Sequence, residues 1–277
     1  MNSRMRPVLA VVSGGAAGGA ESGAADAWRV SIWRIFLAES RAECLRLIRS
    51  PAFAVPTVLF PVMFYVLFGL VLGQHGLGAE PAVARHVLAT YVAFGCIAPG
   101  LFGIGVTVAL DRDRGLLDLK RALPMPAGVY FLAKLVTAML FAAAVSVLLM
   151  LVGATVGRVV LELAHWTGLL ILAVLGAIPF CGMGLMVGAA VKGQAAPAVL
   201  NLFYVPMSFL SGLWVPLSVL PHALVQLAPI WPAYHLVKLT SAVLGEGDSG
   251  FWVHILNLVG MSALFFLLAR RGLQKVR

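Results

Sequence analysis

The sequence predicts an all-α integral membrane protein with six transmembrane helices, an N-terminal interfacial helix and a re-entrant segment before the last span. Composition is the first reason. Apolar residues make up 61% of the 277 and charged residues 11%, whereas a soluble domain carries about 25% charged residues. The second reason is six apolar stretches, at about 52–73, 87–109, 130–156, 167–190, 196–216 and 252–269. A helix needs ~20 such residues to cross a ~30 Å hydrocarbon core. Charge placement is the third. Seven Lys and Arg precede the first span, and five (Arg112, Arg114, Lys120, Arg121, Lys134) are assigned to the second-to-third connection. Lys192 and four in the tail complete one side, against only Arg85, Arg158 and Lys238 on the other. Positive residues stay inside, so both termini of this multi-pass chain are expected in the cytoplasm. The net charge of +9 is thereby explained without a nucleic-acid partner.

Residues 1–27, rich in Gly, Ala and Ser, read as a flexible cytoplasmic tail, with 28–277 as the six-span membrane domain. The apolar run Val8–Val12 is too short for a signal-peptide core. Residues 28–49 carry Trp28, Ile32, Ile35 and Phe36 beside Glu39, Glu43, Arg46 and Arg49. That pattern fits an amphipathic helix in the interface plane, ended by Pro51 because the residue before a proline leaves helical geometry. Cys44, Cys96 and Cys181 offer no disulfide framework. The six histidines are scattered without metal-ligand spacing, so no metal site is expected.

The second-to-third connection reads Asp111-Arg112-Asp113-Arg114-Gly115-Leu116-Leu117-Asp118-Leu119 and continues to Pro124 and Pro126. Charge beside an apolar turn predicts one short helix over 111–123, lying across the cytoplasmic face as a handle for a soluble partner. No acid is expected inside a span, and ion-coupled carriers normally keep charge at membrane depth. The chain also lacks a phosphate-binding Gly-x-x-x-x-Gly-Lys-Ser/Thr loop. Energy would then come from a separate subunit.

In the fifth span Asn201, Tyr204, Ser208 and Ser211 fall within an arc of about 80° at ~100° per residue. They form either a substrate-contacting wall or hydrogen-bonding glue between helices. Gly100, Gly103 and Gly105, with Gly182, Gly184 and Gly188, allow close helix packing within or between protomers. After the fifth span, Gly212, Pro216, Pro221, Pro229 and Pro232 break the chain repeatedly. Irregular backbone at membrane depth survives only where protein or water satisfies it, so the break marks a mouth or cavity.

Residues 111–126 and 209–234 resemble the coupling region and the late signature of type-2 ABC exporter permeases, with Asp111 and Asp113 standing where Glu is usual and Leu116 where Thr is frequent. The resemblance spans residues 28–270. It implies a non-enzymatic subunit that dimerises with a second permease copy, a homodimer being the implied form. ATP and Mg would sit on a separate nucleotide-binding ATPase subunit, with no cofactor in this chain. The implied activity is outward movement of a lipid, drug-like amphiphile or lipid-linked glycan across the cell membrane. The competing readings are an ion-coupled carrier or channel without an ATPase partner, and a membrane assembly protein.

Overall fold

The computed structural model describes residues 32–71, 81–122, 126–246 and 250–275. The expected tail over 1–27, most of the connection after the first span, and Leu123 and Pro124 lie outside the described residues. Every regular element among the described residues is helical.

Helix α1 (Ile32–Ile48) exposes Ile32, Trp33, Leu37 and Ile48 and buries Glu43 and Leu47 against the rest of the chain. Ser50 then stands at the N-cap of α2 (Pro51–Phe64), whose first residue needs no hydrogen-bond acceptor for its missing N–H. The helix continues as a π-helical stretch, Tyr65–Val71. The next rod is built from α3 (Pro81–Gly95), a π-helical turn (Pro99–Ile104) and α4 (Gly105–Asp113). Pro99 cannot donate to the helical ladder, and the widened turn accommodates the lost bond. After a short α5 (Leu116–Ala122) come two long helices, α6 (Ala127–Thr155) and α7 (Leu163–Ala190).

Among the described residues five helices are long and apolar enough to cross a membrane: Pro51–Val71, Ala84–Asp113, Gly128–Thr155, Leu163–Ala190 and Phe251–Gln274. The fifth apolar stretch, 196–216, departs from expectation. Helix α8 (Ala196–Leu210) has 15 residues and stops well before 216. Gly212 there adopts φ +81°, and the amides of Leu213 and Trp214 both turn back to the Ser208 carbonyl at 3.2 and 3.3 Å. Three short turns follow, namely a 3-10 turn (Leu217–Val219), α9 (His222–Val225) and a second 3-10 turn (Ala228–Ile230). Helix α10 (Pro232–Val243) then packs on α3, α7 and α11 (Phe251–Lys275), burying Ala233, Leu236, Leu239 and Thr240. Helix α10 is thus packed into the helical bundle.

The rod Ala84–Asp113 is the centre, with 83% of its most apolar window buried, against 11% for the last helix. A glycine seam allows that burial. A Cβ added at Gly184 would lie 2.5 Å from the Leu101 carbonyl oxygen, and one at Gly188 would lie 2.5 Å from that of Gly105. The close approach is therefore made within one chain. Gly184→Val and Gly188→Val should each cost at least about 1–3 kcal/mol, since backbone cannot yield as a side chain does. Thermal unfolding in detergent checks this, with Gly260→Val as the comparison, because nothing lies within 4 Å of a Cβ there.

Candidate functional site

Three elements distant in sequence meet around one carboxylate. Asp111, in the last turn of α4, is 1% exposed. Its Oδ1 and Oδ2 lie 2.9 and 3.1 Å from Arg46 Nη1 on α1, and the Tyr130 hydroxyl on α6 donates to Oδ2 at 2.6 Å. Lys134, also on α6 and 2% exposed, stands 3.4 Å from Asp111 Oδ2, pairs with Glu43 of α1, and donates to Thr107 Oγ1 at 2.9 Å. At the rim, Lys120 of α5 pairs with Glu39 of α1 and sits 4.4 Å from the Tyr130 ring centroid.

Two acids and two bases make this core neutral, which is what lets it stay buried: an ion left alone there would carry a desolvation cost of several kcal/mol. Burial by itself would weaken the charge on Arg46, but Asp111 and Glu43 outweigh it and raise its pKa above the ordinary arginine value. Arg46 is firmly cationic.

The expectation of charge-free spans is corrected here. Lys134 lies inside the long apolar helix Gly128–Thr155 rather than in a connection, and Asp111 closes the rod Ala84–Asp113. Each is tolerated because its counter-ion comes from another element.

The expected single helix over 111–123 is also corrected. Asp111–Asp113 finish α4, Gly115 turns the chain with φ +70°, and α5 starts at Leu116. Arg112 caps α7, with Nη2 donating to the Val191 carbonyl at 2.8 Å and Nη1 donating to that of Gly188 at 3.3 Å and to that of Ala189. Cations at a helix C-terminus complement its dipole. Asp113 Oδ2 accepts from the Gly193 amide at 2.6 Å, fixing the α7–α8 connection. Asp111, Arg112 and Asp113 thus hold separate elements of the chain together. Leu117 is buried and Leu116 half-buried, leaving Arg114, Gly115 and Leu119 exposed, Leu119 by 59%.

The polar stripe of α8 divides. Asn201 and Tyr204 line a cavity of about 470 Å³ between the end of α1, α2, the central rod and α8. Ser208 is fully buried and donates to the Tyr204 carbonyl at 2.8 Å, while the hydroxyl of buried Ser211 has no partner among the described residues. Asn201 Nδ2 likewise bonds the Pro197 carbonyl on its own helix, at 3.1 Å. These bonds of Asn201 and Ser208 therefore stay within α8. Beyond the stripe, Trp214 closes an aromatic group with Phe94, Tyr204 and Phe209. Pro216 and Pro221 precede short turns, Pro229 lies within one, and Pro232 opens α10.

Sequence reading missed one pairing at the opposite end: His235 and His254 approach to 2.8 Å between their Nδ1 atoms. No spacing signals it, because the two sit on different helices. Among the described residues no three His, Cys, Asp or Glu gather as a metal site.

Asp111→Asn should destabilise the fold by about 3–5 kcal/mol, because Arg46 and Lys134 then share one buried acid. Chemical or thermal unfolding of the purified protein checks the loss, and Asp118→Asn on the exposed face of α5 is the comparison.

The sequence pattern of ABC-2 type transporters matches residues 35–244, from α1 to the end of α10. The chain is also 26% identical over 234 residues to the putative transport permease YvfS of Bacillus subtilis strain 168, covering 84% of this chain and 94% of that protein. The match takes in the buried ion cluster, the cavity and the broken segment after α8. With its long apolar helices and that family pattern, the chain belongs to the ABC-2 type transporter family, as a multi-pass membrane subunit whose family pairs with an ATP-binding subunit.

Proposed function

We propose that this chain is the substrate-conducting half of an ABC exporter, coupled to a separate ATPase subunit through α5. The observation that carries the reading is how α5 is mounted. Leu117 anchors it in the apolar interior, Lys120 ties it to Glu39 of α1, and Leu119 with Arg114 face outward. Immediately before it, Arg112 and Asp113 grip the end of α7 and the start of the next connection. A push on α5 is thereby delivered to α1, the central rod and α7 together, which is how a rigid handle transmits a partner's motion.

In this reading both termini and α5 are cytoplasmic, supported by the sixteen-to-three basic asymmetry that remains with Lys134 placed in a span. Helix α8 is the fifth of six crossings. At ~1.5 Å per residue its 15 residues reach about 22 Å, short of a ~30 Å core, and the broken segment 211–231 completes the passage as a re-entrant mouth. The 470 Å³ cavity lies on the substrate path, with Asn201 and Tyr204 as wall residues, and a second copy in a homodimer closes its open side. ATP and Mg bind the partner subunit, and this chain holds no cofactor. The cargo is an amphiphile from the lipid phase, moved outward: a lipid, a drug-like molecule or a lipid-linked glycan.

The docking role is tested by Arg114→Glu combined with Leu119→Asp, both on exposed positions. Loss of a central interface anchor costs more than ~1–2 kcal/mol, so co-purification of the ATP-binding subunit should fall about tenfold while the variant's melting temperature holds. Undiminished co-purification would remove α5 from the interface.

A further inference from the structure

We propose that the cavity between α1, α2, the central rod and α8 binds a single-chain amphiphile with an oxyanion head, a phosphate or carboxylate, and that Arg46 reads that head. This rests on the cavity being part of the substrate path. Among the described residues Arg46 is the single charged one lining the cavity, and no Asp or Glu lines it. Its ion pairs all use Nη1, toward Asp111 and, at 3.8 Å, Glu43. No described residue accepts from Nε or Nη2. The side chain remains 34% exposed, so two donor-bearing nitrogens of a fixed planar fork are open to a ligand. That fork matches the two oxygens of a carboxylate or phosphate, which an ammonium group does not. The negative charge nearest to Arg46 is already shared, since Asp111 also serves Tyr130 and Lys134.

A second donor stands at the same end. Ser50 lines the cavity, and its hydroxyl makes no capping bond to α2. The remaining wall is largely hydrocarbon and aromatic, with Leu47, Phe53, Phe60 and Phe102 among its residues. Head and tail therefore meet different surfaces. The placement also suits a lipid-phase ligand: Arg46 sits in the last turn of α1, whose exposed Ile32, Trp33, Leu37 and Ile48 suit an interface, while Phe53 and Phe60 lie on α2, which starts to cross. A volume near 470 Å³ falls within the ~300–1,000 Å³ of small-ligand pockets.

The test uses the permease assembled with its ATP-binding subunit in phosphatidylcholine nanodiscs, with empty nanodiscs subtracted. Binding of tritiated dodecyl phosphate, dodecanol and dodecyltrimethylammonium is measured at equilibrium, with inorganic phosphate as competitor. Dodecyl phosphate should bind at least about tenfold more tightly than dodecanol, and the cationic amphiphile more weakly than either. Arg46→Lys keeps the charge opposite Asp111 but loses the fork; it should reduce the preference below about threefold and leave dodecanol binding unchanged. If that variant fails to assemble, Arg46→Gln with Asp111→Asn, which removes one charge of each sign, must abolish the same preference. Equal binding of phosphate and alcohol by the unaltered protein would overturn the role of Arg46 while leaving the cavity intact. Dodecanol binding that survives Asn201→Trp undiminished would overturn the cavity itself. Displacement of dodecyl phosphate by inorganic phosphate at similar concentrations would replace the amphiphile with a free anion.

Discussion

The pairing of Arg46 and Lys134 with Asp111 and Glu43 is the constraint on which the cytoplasmic-proposed end of this molecule depends. No member can be buried without the others, because an unpaired ion in an apolar bundle costs several kcal/mol. The set therefore forms together or not at all. Its members come from α1, α4 and α6, so satisfying the charges fixes how the interfacial helix meets the spans. That angle in turn sets where Arg46 stands relative to α2 and shapes one end of the cavity. Lys120 with Glu39 adds α5 to the same body.

A different kind of contact holds the middle. There the central rod and α7 touch backbone to backbone, with Leu101 and Gly105 against Gly184 and Gly188. Lipid tails supply no hydrophobic drive between helices, and close backbone approach through small residues is one route to strong packing in their presence. The outer face of the last helix is left rich in exposed apolar side chains, among them Leu256, Val259, Leu264 and Leu267. Rigid seam, charged clamp and aromatic group around Trp214 thus bracket the cavity on separate sides, and α8 is the short wall between them.

Much of this was legible in the residues. Apolar length located five of the long helices, and Ser211-Gly212 with the following prolines located the break, because both signals are local. Membership of the family followed from the same two segments, 111–126 and 209–234. The ion cluster was not legible. Glu43 and Lys134 are separated by 91 positions, Arg46 and Asp111 by 65, and no helical period links them. Lys134 was read as part of a connection because a lysine near a span end ordinarily reaches for water. Gly115 was visible, but only its positive φ shows that it divides 111–123 into two helices. The α8 stripe reads as one arc on a helical wheel, but Asn201 and Tyr204 line the cavity while Ser208 and Ser211 are buried. Its hydroxyl and amide groups, however, return to carbonyls of their own helix, a choice of rotamer that a helical wheel does not contain.

The most direct test of the clamp is a double-mutant cycle on Glu43 and Lys134, using Glu43→Gln and Lys134→Met, read by unfolding free energy of the purified protein. If the two charges act as one buried unit, each single change is costly and the double change is less costly than their sum, with a coupling of at least about 1 kcal/mol. Additive losses would contradict the account, leaving α1 held to the spans by apolar contact alone.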